Sequence, residues 1–173
     1  MIRKAVEADI PAVVSIYDKI HTEEENGRAT IGWIRGVYPT ENTARTALDR
    51  DDLFVQENGG KIVGAAIINR QQVDVYAGAP WQYPAAPEAV TVLHTLVIDP
   101  CAKGKGCGRA FVRFYEDYAR RTGSPFLRMD TNAKNTGARR FYEKLGYTEV
   151  GIVPCVFNGI AGVDLVLLEK KAE

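Results

Sequence analysis

The chain has 173 residues, 46% of them apolar, with 22 Lys or Arg balanced by 22 Asp or Glu. A chain of this size can bury a core without metal or disulfide support, so one domain over residues 1–173 is expected. No apolar run approaches the ~20 residues of a membrane span, and Met1-Ile-Arg-Lys-Ala-Val-Glu lacks the apolar stretch of a secretory signal, so a cytoplasmic protein away from membranes is expected. Cys101, Cys107 and Cys155 show no C-x-x-C spacing, and His21 and His94 lie far from any ligand cluster, which argues against a disulfide framework and a metal site. Balanced charge and the lack of a nucleic-acid-binding motif argue against DNA or RNA.

In chain order, Ile2 to Ala5 reads as a short strand. Glu7-Ala8-Asp9 and Pro11 start a helix that runs to about His21, with Ile10, Val13, Val14 and Tyr17 on one face. Glu23 to Gly27 reads as a break, Ile31 to Tyr38 as a helical turn ended near Pro39, and Thr40 as the N-cap of a helix through Asp49. Leu53 to Glu57 and Lys61 to Asn69 flank Asn58-Gly59-Gly60, whose glycines suit a tight β-hairpin. Gln71 to Glu88, with three prolines and Tyr76, Trp81 and Tyr83, has no period and reads as a long loop.

The pattern then sharpens. Val90 to Ile98 is a β-branched strand ending at Asp99-Pro100. A Gly-rich turn leads into a helix over about Cys107 to Arg121, and Phe126 to Asp130 forms the next strand. Thr136 to Leu145 is a helix closed by Gly146, and Tyr147 to Phe157 and Ile160 to Glu169 are strands joined at Asn158-Gly159. The order implies an α/β fold, a mixed sheet with helices on both faces.

Lys103-Gly104-Lys105-Gly106-Cys107-Gly108-Arg109 places three glycines on alternate positions just before a helix. Backbone without Cβ atoms can approach a ligand closely, and the unpaired N–H groups of a helix N-terminus attract anions. The surrounding charge agrees: from Cys101 to Lys144 there are 11 basic and 4 acidic residues, +7, which leaves −7 elsewhere. A Walker A loop is excluded because G-x-x-x-x-G-K-[ST] does not occur. A dinucleotide fingerprint would use Gly104, Gly106 and Asp130, but Arg109 stands where the third glycine should allow close helix packing. A turn that binds nothing is the remaining alternative.

Leu96-Val-Ile-Asp-Pro followed by Lys103 to Arg109 resembles the acyl-CoA-binding motif [Q/R]-x-x-G-x-[G/A] of the GNAT acetyltransferase superfamily, with Lys103 at the Gln/Arg position. Asn135 and Ala138-Arg-Arg-Phe-Tyr-Glu-Lys-Leu-Gly-Tyr147 resemble that family's second signature. The resemblance spans roughly Leu93 to Tyr147 and implies a GNAT-type acyl-CoA N-acyltransferase fold, a sheet of about seven strands with a splayed fourth strand. It also implies acetyl-CoA as co-substrate. Pantetheine would pair with Leu96 and Ile98, with Val97 alongside, and a main-chain N–H near Leu96 or Val97 would polarise the thioester carbonyl. The pyrophosphate would meet Lys103, Gly104, Lys105, Gly106, Cys107, Gly108 and Arg109, and the Asn135 amide would bond the pantetheine arm.

Acyl transfer to an amine needs a proton acceptor and a donor for the departing thiolate. Tyr142 stands at the family's thiolate-protonating tyrosine, or is a core aromatic. Leu93-His94-Thr95-Leu96 resembles the stretch from which arylalkylamine-acetylating members supply a histidine, so His94 is the first candidate base and Glu88 the second. Cys107 at the phosphate end is badly placed for a covalent step, so direct transfer in a ternary complex is expected. Trp33, Arg35, Tyr38 and the Tyr76 to Tyr83 loop with Trp81, aided by Glu24 or Asp74, are the acceptor candidates. Trp33 and Trp81 read equally well as core or homodimer contacts. A small-molecule primary amine is the expected acceptor, a protein N-terminus or lysine the alternative, and a non-catalytic acyl-CoA sensor the reading of another class.

Overall fold

The protein is described over residues 1–172 by a computed structural model. Seven strands form one sheet: β1 (Ile2–Lys4), β2 (Leu53–Asn58), β3 (Lys61–Asn69), β4 (Val90–Ile98), β5 (Phe126–Asn132), β6 (Thr148–Phe157) and β7 (Ile160–Lys171). Their spatial order is β1-β2-β3-β4-β5-β7-β6, and every neighbouring pair is antiparallel except β4 and β5. Parallel strands need a crossover, supplied here by helix α3 (Cys107–Arg121). The other helices are α1 (Ile10–Glu25), α2 (Glu41–Asp49) and α4 (Thr136–Glu143).

Strand alternation sorts the core into two layers. Phe54, Ala66, Ile68, Leu93, Leu127, Met129, Val166 and Leu168 face α3 and α4, where they meet Phe111, Val112, Tyr115 and Tyr142. Leu53, Val55, Ala65, Ile67 and Val97 face the other way onto α1 and α2, against Ile10, Val13, Ile16, Tyr17, Ala44 and Ala47. Each large apolar side chain buried here contributes about 1.5–3 kcal/mol. A third cluster joins Val90, Val92, Leu165 and Leu167 to Tyr76 under residues 71–88.

Two stretches depart from the sequence expectation. Helix α1 continues through the acidic run to Glu25 and breaks at Gly27, whose φ is +69°; glutamate is a good helix former, and the left-handed glycine sets the end. Ile31 to Tyr38 is not helical. Gly32 and Gly36 take positive φ, Ile34 and Tyr38 form an isolated bridge, and the Glu24 carboxylate accepts from the N–H groups of Ile31 (2.7 Å) and Gly32 (2.8 Å).

The loop between β3 and β4 is held by two charges on neighbouring strands. The Arg128 guanidinium lies 4.1 Å from the Trp81 ring centroid and donates to Gln72 Oε1 and to Tyr83 O (3.1 Å). Glu169, paired with Arg128 across β5 and β7, accepts from the N–H groups of Gln82 and Tyr83. Trp81 Nε1 donates to Tyr76 O at 2.9 Å, which fixes Tyr76 over the sheet.

Candidate active site

Strands β4 and β5 pair only from Val90↔Phe126 to Leu93↔Met129. Beyond that point β4 stays with β3 as far as Ile98, and β5 stays with β7 as far as Asn132. The two strands therefore diverge, and the expected splay of the fourth strand is present. The buried Tyr115 hydroxyl pins them just below the divergence, its proton shared between Thr91 O (2.6 Å) on β4 and Arg128 O (3.0 Å) on β5. At the divergence β4 carries a bulge against β3 between His94 and Val97, with Thr95 at φ +50°. Bulges and non-glycine residues at positive φ concentrate at functional sites.

The direction of the β4 main chain follows from one bond: Asp99 N–H donates to Val63 O on the β3 side at 2.8 Å. By strand alternation Val97 also turns its amide toward β3, while Leu96 and Ile98 turn theirs into the divergence. Leu96 and Ile98 therefore offer their main chain to the gap. Val97 lines the cleft as well, but its side chain is buried among α1 and α2 residues and its amide turns toward β3.

The divergence opens into a cleft of about 960 Å³ that reaches the start of α3. Gly104 (φ +80°) and Gly106 (φ +76°, the N-cap of α3) turn the chain sharply there. The first main-chain donor used in α3 is Ala110 N–H, to Gly106 O, and the amides of Cys107, Gly108 and Arg109 have no partner among the described residues. A Cβ on Gly108 would meet Phe141 Cζ at 3.4 Å, so glycine keeps the helix start close against α4. Lys103 and Arg109 line the cleft without an ion pair among the described residues; Lys105 does not line it. Asn135 caps α4, its Oδ1 accepting from Ala138 N–H at 3.1 Å, so only its Nδ2 remains to donate. These groups fit a diphosphate followed by an amide-bearing chain: unpaired amides, two cations and an orphan amide donor along one groove.

Four ionisable or hydroxyl groups close around the splay. Tyr142 approaches from α4, buried, with its ring edge against Phe141 and Tyr147. Asp130, which follows the last paired position of β5, lines the cleft and accepts from Tyr76 Oη at 2.7 Å. Burial pushes the Asp130 carboxyl up to about 6 against the opposing Tyr76 hydrogen bond. Burial, and then the Asp130 charge, pushes Tyr142 up, so its phenol stays protonated. Tyr38, whose hydroxyl bonds Thr95 Oγ1, is pushed up to about 12 by burial. Trp33 meets Tyr38 edge to face at 5.8 Å between ring centroids, and both line the cleft.

His94 also lines the cleft, on the same sheet face as Ile67. Gln71 N–H donates to Asn69 Oδ1 (2.9 Å) and Asn69 Nδ2 donates to Asp52 Oδ2 (3.0 Å), which fixes the Asn69 amide. His94 Nε2, 3.0 Å from Asn69 Oδ1, must then be the donor, and Nδ1 the acceptor. Burial pushes His94 down to about 4, so it is neutral at physiological pH.

Glu88 and Trp81 are not brought to the cleft. Glu88 is exposed in a short turn before β4, the strand end opposite the splay, because the whole of β4 separates it from Ile98. Trp81 is spent on Arg128 and Tyr76, Glu24 on loop amides, and Arg35 on outward ion pairs to Asp18 and Glu25. Asp130, named from the sequence only as the acid of a dinucleotide site, lines the cleft. Its signal was the alternation Leu127, Met129 against Arg128, Asp130, two charged residues on one face of an interior strand.

A mixed sheet split at two parallel strands, with an anion-seeking helix start at the split, is the fold that the acetyltransferase resemblance implies. The profile described as "Acetyltransferase (GNAT) family" matches residues 14–147, and the chain belongs to that family. An uncharacterised N-acetyltransferase of Methanocaldococcus jannaschii is 30% identical over 105 residues, 61% of this chain and 42% of that protein. The N-alpha-acetyltransferase RimI of Mycobacterium tuberculosis is 32% identical over 115 residues, 66% of this chain and 63% of that protein. The matches thus span less than two thirds of the length of these relatives. Among solved structures, a GNAT-family acetyltransferase from Streptococcus agalactiae superposes with a TM-score of 0.83 at 21% identity, over 100% of this chain and 95% of that one. One from Salmonella typhimurium, solved with its cofactor acetyl-CoA, superposes at 0.70 and 20% identity over 100% and 94%. At such identities the likeness is one of fold.

Proposed function

We propose that the protein transfers the acetyl group of acetyl-CoA directly to a primary amine of a small molecule. One observation carries this reading: a single cleft joins the unpaired amides of α3 to a gap between β4 and β5 flanked by Asp130 on one side and Tyr142 on the other. The amides of Cys107, Gly108 and Arg109, with Lys103 and Arg109, hold the diphosphate, and Leu96 and Ile98 hold the pantetheine chain as an added strand.

The reaction forms a C–N bond at the thioester carbon and breaks the C–S bond. An alkyl ammonium has a pKa of ~10.4, so a group in the cleft must take its proton. Asp130 is better suited than the two bases expected from sequence. It is ionised above about pH 6 and held by Tyr76 with one oxygen left for the substrate, whereas His94 is a weaker base at about 4 and Glu88 is absent from the cleft. Tyr142 keeps its proton and donates to the leaving sulfur. His94 acts as a neutral contact for the acceptor. A peptide α-amine is the second reading, favoured by the N-alpha-acetyltransferase among the relatives.

Thiol release from acetyl-CoA with a panel of small amines and one short peptide tests this. Asp130→Asn and Tyr142→Phe should each lower kcat by about 10²–10³-fold, while Glu88→Gln should stay within twofold. Full rate in Asp130→Asn removes it as base, and no release with any acceptor, despite CoA binding, favours a sensor.

A further inference from the structure

The cleft extends past His94 to a second cation with no role in holding coenzyme A. Four cations line it: Arg28, Arg50, Lys103 and Arg109. Arg28 is paired with Glu23 at 2.7 Å, and Lys103 and Arg109 flank the start of α3. Arg50 remains. It too is ion-paired, through Nε to Asp52 Oδ2 at 2.7 Å, but where Arg28 turns both Nε and Nη2 onto Glu23, the Nη1 and Nη2 of Arg50 bond nothing among the described residues. Asp52 Oδ2 also accepts from Asn69 Nδ2, so one carboxylate orients both the guanidinium and the amide that holds His94. Thr46 and Asn42 stand one and two helical turns before Arg50, on the stripe of α2 that lines the cleft, while Ala44 and Ala47 are buried in the core. Gln71 lines the same end. The side chains of Asn42, Thr46 and Gln71 make no hydrogen bond among the described residues.

The cleft's carboxylates give the complementary picture. Glu23 is engaged by Arg28, and Asp130 is held by Tyr76 where the reacting amine would lie. No unengaged carboxylate among the described residues lines the cleft to receive a second ammonium, whereas a guanidinium fork stands open. Resting on the transferase reading above, we infer that the acceptor carries a carboxylate several bonds from its amine, and that Arg50 binds it through Nη1 and Nη2. Asp130, His94 and Asn69 stand on the successive strands β5, β4 and β3, and Arg50 is tied to Asn69 through Asp52. β4 and β5 have already parted at Asp130 and Arg50 lies beyond Asn69, so base and cation are more than two strand spacings apart, upward of about 10 Å, too far for an α-carboxylate and suited to an extended amino acid with a terminal amine. The guanidinium fork matches a carboxylate in two parallel bonds.

Three six-carbon amines that differ only at the far end test this: 6-aminohexanoate, hexylamine and 1,6-diaminohexane, assayed for thiol release from acetyl-CoA and titrated calorimetrically into the CoA-saturated protein. The expected kcat/KM is at least tenfold higher for 6-aminohexanoate than for hexylamine, with the diamine lowest. Arg50→Gln should lower 6-aminohexanoate about tenfold and leave hexylamine within twofold, and Arg50→Lys should restore part of the preference. Equal kcat/KM for the three, or a ranking that Arg50→Gln leaves intact, overturns the subsite and leaves the transferase reading standing. Tighter binding of the acid that is lost in Arg50→Gln, with no thiol release, upholds the subsite and overturns the transferase reading. Neither binding nor release with any of the three overturns the subsite.

Discussion

Asp130 and His94 follow the last paired positions of two neighbouring strands, and burial moves them in opposite directions. The Asp130 pKa rises from 3.8 to about 6, so the folded state holds this proton more tightly than the unfolded chain, and the site costs stability as pH rises from 3.8 through 6. His94 falls from 6.5 to about 4, so the unfolded chain takes up its proton first and stability is lost as pH falls from 6.5 through 4. In the wild type the two slopes largely cancel. In Asp130→Asn the penalty on the buried charge is gone: at pH 8 the variant should be more stable than wild type by about 2–3 kcal/mol, the gain should vanish below pH 4, and stability should drop steeply on acidification through the His94 range. His94→Gln should show the reverse slope. Urea unfolding at several pH values checks both, and a variant Asp130→Asn no more stable at pH 8 would mean the carboxylate is well solvated. Little of this was legible in the sequence. Tyr142 could be placed on α4 from its signature, but which carboxylate faces the gap depends on where β4 and β5 part, a long-range fact that local pattern does not carry, and Glu88 stands a whole strand away.

Among the elements, those set by local chemistry were readable. The β2–β3 hairpin follows from Asn58-Gly59-Gly60 and the start of α3 from its glycines, and both stand where expected. Residues 31–38 were not readable, and 71–88 were readable only as a loop, because their backbone is organised by distant side chains: Glu24 for the first, Arg128 and Glu169 for the second. Trp81 is accordingly a structural residue. Trp81→Phe keeps a ring near Arg128 but loses the bond to Tyr76 O, so it should lower stability by about 1–2 kcal/mol, while acceptor KM at a temperature well below unfolding stays within twofold. A severalfold rise in that KM would return Trp81 to the acceptor site. Tyr76→Phe removes the hydrogen bond that opposes burial at Asp130, so the acid limb of kcat/KM, expected near pH 6, should move to higher pH. An unmoved limb would detach Tyr76 from the base.

At the scale of the whole molecule, the sheet of about seven strands, the helices on both faces and the splay were legible because two motifs fix the middle of the chain, from Leu93 to Tyr147, whereas the strand order was not. The side of the cleft lined by α2, the end of β3 and the loop after it was not legible either, since none of these carries a motif. The account depends most on the unpaired amides at the start of α3 gripping a diphosphate. The direct measurement is calorimetric titration with CoA and with pantetheine, which carries the thiol arm without the phosphates. Binding of CoA at least a hundredfold tighter than pantetheine, weakening as salt is raised and reduced by Gly108→Val, is the predicted result. Equal affinities, or no binding of CoA, would contradict it.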